Sequence, residues 1–425
     1  MTPGTQTLSS TSELTSGSKP ELGTTLAGHR FERSWFWRVL PAGMRRRWWL
    51  FRIFDLLVRF WPLIKPRKGL LVVRMDGIGD MILFRQALDD YAATFGVDQS
   101  EITVLGCKSW GSIAGPIFEG YKVLIINEHA FARRAFYRFW IGLKVRRIAP
   151  AITICDSYLR RALMADSLVW MTGAPKSIVS LPYINEPTRT EFNYYLSQVD
   201  QIIDTGPYPT HEIIRHYRFL LGCAETAIET NNDPKIALRP PKISWRDNRS
   251  SHLGDAPYVV LNPGSNEYGR RWPFESYLDI AEQLMEKEYR VVIVGGPGER
   301  SGDHRTRFGS DARIIDLTGK TTVPELLDIL KHAACVISND TGPAHLSIAL
   351  ETPTVVVVGG GHFGSFVPYP EEVCPPYVRF AFEEMSCYHC FWRCPKRATK
   401  FDVFPCVSGV EVGKVMDATT QLLKF

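Results

Sequence analysis

A short apolar run followed by a glycine turn constrains the fold of this chain more than any other feature. The run, Leu70 to Val73, is too short and too uniformly apolar for an amphipathic helix. Its composition predicts a parallel strand that is covered on both faces. Gly77 and Gly79 follow the strand and allow a tight turn that a ligand can approach closely.

Asp80 stands directly after this turn, where a helix running to about Thr94 is predicted to begin. Ligands of open α/β sheets bind at the carboxyl ends of the strands, so a carboxylate at this place is a candidate for chemistry. The alternative is a structural acid that caps the helix or stabilises its first turn. The spacing of the residues leaves both interpretations open.

Predicted strands alternate with predicted helices in both halves of the chain, which indicates parallel sheets. The predicted strands are Leu70–Val73, Glu101–Gly106, Tyr121–Ile126, Ile152–Cys155, Tyr258–Leu261, Arg290–Val294, Arg313–Ile315, Cys335–Ser338 and Pro353–Val358. A segment with weak periodicity, residues 231–251, has the composition of a linker between two such units. We therefore expect two doubly wound α/β domains that face each other across a cleft.

Four segments follow from this division. We expect a disordered tail over residues 1–28 and a basic, aromatic, amphipathic extension over 29–66. The first α/β domain is expected over 67–248, and the second over 249–425 with a cysteine cluster and a terminal helix.

The extension carries much of the positive charge of the chain, whose formal net charge is +5. Its basic residues and those just after it are Arg30, Arg33, Arg38, Arg45, Arg46, Arg47, Arg52, Arg59, Lys65, Arg67 and Lys68. Such a local excess of cations indicates an acidic partner or an acidic surface.

A helix is predicted within the extension, from Trp48 to Trp61. Its polar residues Arg52, Asp55 and Arg59 share one face, and the opposite face carries Trp49, Phe54, Leu57 and Trp61. The helix is too short and too charged to span a bilayer comfortably. It is suited to lie in the plane of an anionic membrane surface, or alternatively to pack on the first domain.

A second candidate site lies between Asn339 and His345, where a predicted strand ends and a helix begins. Pro343 fits the first turn of the helix, and the free N–H groups at a helix N-terminus bind phosphate well. Thr341 offers a hydroxyl, and His345 is one turn further along. The alternative is an ordinary capped helix in which His345 is part of the packing.

Two further loops follow predicted strands of the second half. Arg270 follows the loop that contains Gly264 and Ser265, and a guanidinium group in this position can neutralise a diphosphate. Glu299 follows a glycine-rich turn and can accept hydrogen bonds from ribose hydroxyls, although a solvated turn acid is an equally good interpretation.

The glycine turn does not match the motif of a dinucleotide-binding dehydrogenase. Ile82 stands where the third glycine is required, and the next predicted strand ends in Cys107 and Lys108 without an acid for the ribose. The sequence also lacks the glycine-rich loop with Lys and Ser or Thr that marks a phosphate-loop NTPase.

Four cysteines near the C-terminus have spacings at which thiolates hold zinc or an iron–sulfur cluster. They are Cys387, Cys390, Cys394 and, after a longer gap, Cys406. A disulfide or unliganded thiols are the alternatives. Because residues 1–28 show no apolar core of a signal peptide, we expect a reducing, cytoplasmic setting.

Taken together, the ordered motifs resemble those of the family-9 glycosyltransferases, whose best-known members are the bacterial lipopolysaccharide heptosyltransferases. The stretches that carry the resemblance are Arg74–Asp80, Asn262–Pro273, Gly295–Glu299, Ser338–His345 and the cysteine element, with Asp156, Arg160, Arg161 and His211 at the places of weaker landmarks. The resemblance runs from about Gly69 to the C-terminal helix.

This resemblance implies a GT-B fold, with the acceptor on the first domain and a nucleotide-diphosphate sugar on the second. It implies inverting transfer by direct displacement, with no cofactor required for catalysis and no nucleic acid as partner. Asp80 takes the place of the general base, and Arg270 occupies the place where relatives usually carry lysine. The other implied residues are Gly264, Ser265, Glu299, Asp340, Thr341, Gly342 and His345 on the donor side, and Arg74 and Gly79 on the acceptor side.

Two departures from the family pattern stand out. Gly359–Gly361 replaces the Gly-Pro-Thr of many relatives, and the extension over 29–66 precedes the usual start. A lipopolysaccharide-core or other lipid-linked acceptor would account for a membrane-binding extension, with the protein peripheral on the inner face of the cytoplasmic membrane.

Heptose is the commonest sugar of the family, but no single residue identifies the sugar, the nucleotide base or the acceptor. The competing functions are a nucleotide-sugar epimerase of the same architecture and a non-catalytic nucleotide-sugar-binding protein.

Overall fold

The computed structural model describes residues 25–26, 29–30, 39, 41–226, 236–246, 253–254, 256–299 and 302–423. The tail predicted over 1–28 therefore lies outside the described residues, except for Thr25–Leu26, which pairs antiparallel with His29–Arg30. The linker predicted over 231–251 is described only for 236–246.

Among the residues that the structure describes, six parallel strands form the sheet of the first half. They are β1 (Leu70–Val73), β2 (Ile102–Cys107), β3 (Lys122–Ile126), β4 (Ile152–Cys155), β5 (Lys176–Ser180) and β6 (Gln201–Ile203). Their order across the sheet is β3-β2-β1-β4-β5-β6.

In the described part of the second half, six parallel strands also form a sheet, in the same order. They are β7 (Tyr258–Asn262), β8 (Arg290–Ile293), β9 (Ile314–Asp316), β10 (Cys335–Asn339), β11 (Thr354–Val358) and β12 (Val378–Phe382). Their order is β9-β8-β7-β10-β11-β12. The prediction of two doubly wound α/β units is confirmed.

Helices connect the strands and cover both sheets. Their bounds are Arg46–Arg59, Ile78–Arg85, Tyr91–Phe95, Ala114–Ile117, Glu128–Arg133, Ala135–Ile148, Ala165–Thr172, Arg189–Leu196, Glu212–Thr226, Phe274–Glu286, Arg305–Phe308, Val323–Lys331, Gly342–Ala349, Pro405–Ser408 and Val412–Leu423. The helix predicted to run from Asp80 to about Thr94 is instead divided into Ile78–Arg85, a 3-10 turn at Ala87–Asp90, and Tyr91–Phe95.

The strand order fixes where a ligand can bind. In each sheet the first and fourth strands are neighbours, and their connections leave on opposite sides of the sheet, which opens a crevice at their carboxyl ends. The inner strands β1 and β11 contain β-branched residues and are fully buried, as the covered faces of a parallel sheet require. Asp80 follows β1, and Asp340 follows β10, so both candidate sites lie at such a crevice.

The helix Arg46–Arg59 packs on the first half through a side that combines Asp55 with the apolar residues Trp48, Phe51 and Val58. Asp55 is buried and accepts two hydrogen bonds of 2.7 Å from Arg138 of the helix Ala135–Ile148. The guanidinium of Arg59 lies 5.0 Å from the ring centroid of Trp170. The sequence left open whether this helix lies on a membrane surface or packs on the first domain, and the buried Asp55–Arg138 pair shows that it packs on the first domain.

The outward side of the same helix is also apolar. Leu50, Ile53, Leu57 and Phe60 are all exposed. Within the described part of the chain, no helix combines the length and the apolar composition needed to cross a bilayer.

We expect Asp55→Ala to lower the free energy of unfolding by about 3–5 kcal/mol, because it leaves the Arg138 guanidinium buried without its partner. The double variant Asp55→Leu/Arg138→Met should recover most of this loss, since it removes both buried charges. Urea unfolding followed by circular dichroism measures these differences.

Lys242→Ala is the matched control, because it breaks an exposed ion pair with Glu351 and should cost less than about 1 kcal/mol. Equal losses for Asp55→Ala and Lys242→Ala would contradict the assignment of Asp55 as the partner that compensates the buried charge of Arg138.

Candidate active site

Asp80 lies in the first turn of the helix Ile78–Arg85, immediately beyond β1. The N–H of Gly77 donates a hydrogen bond of 3.2 Å to Asp80 Oδ2. Burial raises the pKa of Asp80 to about 6, and the charge of Asp76 acts in the same direction, while Arg74 and His345 oppose it. The carboxylate is therefore ionised at neutral pH but has a stronger affinity for a proton than an ordinary aspartate.

The buried side chain of Arg74 holds this turn in place. Its side chain is only 1% exposed, and its two terminal nitrogens lie 2.6 Å from Asp156 Oδ1 and 2.6 Å from Asp76 Oδ2. One of them also donates to the backbone oxygen of Asp80 over 3.4 Å. The structure thus places Arg74 where it orients the turn, and not on the open surface of the cleft.

Asp156, the partner of Arg74, also contacts two residues to which the sequence analysis gave no role. Its Oδ2 accepts a hydrogen bond of 3.0 Å from the Tyr91 hydroxyl and lies 2.8 Å from His216 Nδ1. Although burial favours the neutral acid, Arg74 and His216 hold the pKa of Asp156 far below its usual value. Asp156 is accordingly ionised at neutral pH, and its contacts connect β4 to the turn after β1.

The helix Glu212–Thr226 brings a further acid to this region. Burial raises the pKa of Glu212 to about 8, and Arg215, whose Nε lies 3.6 Å from Glu212 Oε1, opposes this only in part. His211 precedes the helix, with Nε2 2.7 Å from the carbonyl oxygen of Phe366, and burial lowers its pKa to about 3. Glu212 and His216 were missed, although their i,i+4 spacing places them on one face of the helix.

The two halves of the chain meet at the starts of two helices. An added Cβ at Gly79 would lie 2.9 Å from His345 Cδ2, and one at Gly342 would lie 3.4 Å from Ile78 Cβ. His345 is held in place, since its Nδ1 lies 2.9 Å from the Tyr369 hydroxyl. The glycine at position 79 is therefore explained by this close approach.

Arg270 and Asp340 form the centre of the second half of the site. Arg270 donates a hydrogen bond of 3.0 Å to Asp340 Oδ2, and its guanidinium lies 4.6 Å from the ring centroid of Trp392. Burial alone would raise the pKa of Asp340, but the charges of Arg270 and His345 hold it below its usual value. The positive group of Arg270 is thus fixed beside the start of the helix Gly342–Ala349.

Two buried asparagines at strand ends hold the loops around this centre. Asn262 Nδ2 donates to Thr341 Oγ1 over 3.0 Å, and Asn339 Nδ2 donates to the Pro263 oxygen over 2.9 Å and to the Gly264 oxygen over 3.2 Å. Sequence reasoning gave neither asparagine a role. Their signal was their position at the last residue of β7 and of β10.

The two remaining predicted donor loops are in contact with each other. Glu299 Oε2 accepts a hydrogen bond of 2.8 Å from Gly296, and an added Cβ at Gly264 would lie 2.6 Å from the same oxygen. Ser265 is buried, and its backbone oxygen accepts a hydrogen bond of 3.0 Å from Arg271 Nε. The structure therefore brings the predicted donor residues into one region, on the opposite side of the cleft from Asp80.

The glycines 359–361 are explained by aromatic packing. An added Cβ would lie 2.1 Å from Tyr388 at Gly360 and 2.2 Å from Trp392 at Gly361, so side chains are excluded there. Both aromatic residues belong to the cysteine segment, which thereby reaches Arg270 through Trp392.

The four clustered cysteines line one small cavity, together with Tyr388, Trp392 and other residues. Among the residues that the structure describes, no three His, Cys, Asp or Glu side chains are arranged to hold a metal ion. All cysteines of the described chain are free thiols. The predicted zinc or iron–sulfur site at Cys387, Cys390, Cys394 and Cys406 thus receives no support from the geometry.

The family model for glycosyltransferase family 9 (heptosyltransferase) matches residues 164–387, just over half of the chain. The chain is also 30% identical over 305 residues to lipooligosaccharide heptosyltransferase 2 of Haemophilus ducreyi, covering 68% of this chain and 82% of that protein. The chain belongs to glycosyltransferase family 9.

Other relatives match over shorter stretches. Lipooligosaccharide heptosyltransferase 2 of Haemophilus influenzae is 27% identical over 119 residues, covering 27% of this chain and 34% of that protein. Lipopolysaccharide heptosyltransferase 3 of Escherichia coli is 28% identical over 119 residues, covering 27% and 35%. The chain thus spans about a third of the length of these two curated relatives.

Two solved structures have the same fold as this chain. Escherichia coli ADP-heptose lps heptosyltransferase II is 16% identical with a TM-score of 0.60, covering 84% of this chain and 98% of that chain. A family-9 glycosyl transferase from Veillonella parvula is 16% identical with a TM-score of 0.64, covering 85% and 99%. The predicted GT-B fold is confirmed.

We expect Gly79→Ala to lower the free energy of unfolding by about 1–3 kcal/mol, because its Cβ would overlap the buried His345 ring. Gly77→Ala is the matched control, since its Cβ would meet nothing closer than Asp80 Oδ2 at 3.5 Å. Thermal unfolding of both variants measures the difference. If both variants unfold at the same temperature, the two helix starts do not approach as closely as described.

Proposed function

We propose that the protein is an inverting glycosyltransferase that moves heptose from a nucleotide-diphosphate heptose to a lipopolysaccharide-core or other lipid-linked glycan. The observation that carries this proposal is the carboxylate of Asp80, whose pKa is raised to about 6 and which follows Gly79, the residue in close contact with His345. Membership of family 9 supports the class of reaction, and the names of the relatives support the sugar.

In the proposed reaction Asp80 acts as the general base. Its carboxylate accepts the proton of the acceptor hydroxyl while the hydroxyl oxygen attacks the anomeric carbon of the donor sugar. The bond between that carbon and the diphosphate oxygen breaks, and the electron pair leaves with the diphosphate. Because the oxygen attacks from the opposite side, the configuration of the carbon is inverted.

The residues around Arg270 serve the departing diphosphate. Arg270 is oriented by Asp340 and Trp392, so its positive charge is already in place when negative charge develops on the leaving group. The N-terminus of the helix Gly342–Ala349 offers backbone N–H groups, and Thr341 adds a hydroxyl. His345 contacts the sugar or the phosphates from the same helix.

The loops with Gly264, Ser265 and Glu299 complete the donor side, with Glu299 directed at the ribose. On the acceptor side, Arg74 and Gly79 shape the turn that presents Asp80. Transfer by direct displacement uses no cofactor. We place the reaction in the cytoplasm, with the extension over residues 29–66 in contact with an anionic membrane surface.

We expect Asp80→Asn to reduce kcat by about 10²- to 10⁴-fold, the range that loss of a general base produces, while nucleoside diphosphate affinity changes little. Heptose transfer assays give kcat, and titration calorimetry with nucleoside diphosphates gives the affinity. A non-catalytic binding protein has no turnover for the substitution to remove. Full transfer activity in Asp80→Asn would exclude Asp80 as the base.

The pH profile tests the same residue independently. Because the base must be ionised and the pKa of Asp80 is raised to about 6, kcat/KM should fall about tenfold per pH unit below pH 6. An unperturbed aspartate would retain full activity down to about pH 4. A profile that stays level between pH 6 and pH 4.5 would therefore contradict the assignment.

A further inference from the structure

An exposed apolar surface covers two neighbouring helices on the outside of the first half. We call it the two-helix surface, and it consists of Leu50, Ile53, Leu57 and Phe60 with Phe136 and Trp140. Ile53 is 65% exposed, Phe136 75% and Trp140 59%. Phe54 joins the two helices, since its ring centroid lies 5.9 Å from that of Phe136.

The orientation of the helix Arg46–Arg59 is held by contacts with the protein, so its exposed apolar residues cannot turn inward. Asp55 and Arg138 join the two helices through a buried pair of hydrogen bonds, and Trp48, Phe51 and Val58 are buried on the same inner side. A contiguous apolar patch held in this way indicates an interaction surface.

A groove of about 860 Å³ adjoins this surface. We call it the cationic groove, because five cations, Lys65, Lys68, Lys122, Lys144 and Arg147, line it against one acid, Glu101. Glu101 forms an ion pair with Lys68, which leaves the other four cations without a carboxylate partner among the described residues.

The two features are continuous along one helix. Trp140 and Lys144 are four residues apart on the helix Ala135–Ile148, so their side chains lie next to each other on its exposed side. The groove lies at the amino ends of β2 and β3, whereas Asp80 lies beyond the carboxyl end of β1. It is therefore separate from the proposed donor and acceptor sites.

We propose that the two-helix surface and the cationic groove form one docking site for an anionic phospholipid membrane. The apolar side chains enter the interfacial region of the bilayer, and the groove binds the phosphates of the lipid headgroups. A second copy of this chain is a poorer occupant, because it would bring its own cations against the same cations. A membrane offers apolar and anionic groups side by side, as this site requires.

The site extends beyond the extension over residues 29–66 to Phe136, Trp140, Lys122, Lys144 and Arg147. Deleting the extension is a poor test, since it would leave Arg138 buried without Asp55. Substitutions of exposed residues in the full chain avoid this difficulty.

The test is sedimentation of the full-length protein with vesicles of phosphatidylglycerol and phosphatidylcholine, compared with pure phosphatidylcholine vesicles. We expect binding to the anionic vesicles that weakens in 0.5 M salt. Ile53→Asp should weaken it roughly tenfold through the lost apolar contact, and Lys144→Glu roughly fivefold or more through the reversed charge.

The matched controls are Phe401→Asp and Arg305→Glu, which change an exposed aromatic residue and an exposed cation in the second half. Both should bind vesicles like the wild type, and all four variants should transfer sugar to a water-soluble acceptor at the wild-type rate. Failure of vesicle binding with intact transfer would thus overturn this inference without affecting the proposed reaction.

Three further results would overturn the proposal. They are equal binding to neutral and anionic vesicles, wild-type vesicle binding by Ile53→Asp and Lys144→Glu, and a dimer in sedimentation velocity that Ile53→Asp dissociates. The last result would assign the surface to a second copy of the chain.

Discussion

The buried ion pair between Arg74 and Asp156 is the interaction on which the first half of the site depends. It joins the ends of β1 and β4, the two strands between which the sheet order reverses. Burying such charges is costly, and the cost is offset because Asp76, Tyr91 and His216 complete the network with ion pairs and hydrogen bonds. The network fixes the turn that carries Asp80, and the closed environment around it is also the reason that the pKa of Asp80 is raised.

A second constraint acts between the halves. The starts of the helices Ile78–Arg85 and Gly342–Ala349 lie so close that Gly79 has no room for a side chain against His345. Two helix N-termini, each with partial positive charge, therefore face the same crevice, which favours an anionic ligand between them. Arg270 adds a full positive charge, and Asp340 orients it.

The cysteine segment contributes to this site through packing. Tyr388 and Trp392 occupy the space above glycines 359–361, and Trp392 stacks under Arg270. A departure from the usual family sequence at 359–361 is thus matched by large side chains from elsewhere in the chain. The helix of the extension packs on the first half through Trp48, Phe51, Asp55 and Val58, and it leaves Leu50, Ile53, Leu57 and Phe60 exposed.

The sequence by itself determined the alternation of strands and helices, the two doubly wound units and the strand-end positions of Asp80, Arg270 and Thr341. These are local properties, since runs of β-branched residues and glycine turns have few alternative structures. It did not reveal β5, β6 or β12, because short strands such as Lys176–Ser180 mix polar and apolar residues and are stabilised mainly by their neighbours. Only the tertiary structure decided that Asp156 pairs with Arg74 and contacts Tyr91 and His216, that Glu212 is buried near Asp80, and that Asp55 pairs with Arg138. Each of these depends on a partner about 60 to 150 residues away in the chain, as with Asp55 and Arg138 or Asp156 and His216, and local periodicity contains no information about such a partner.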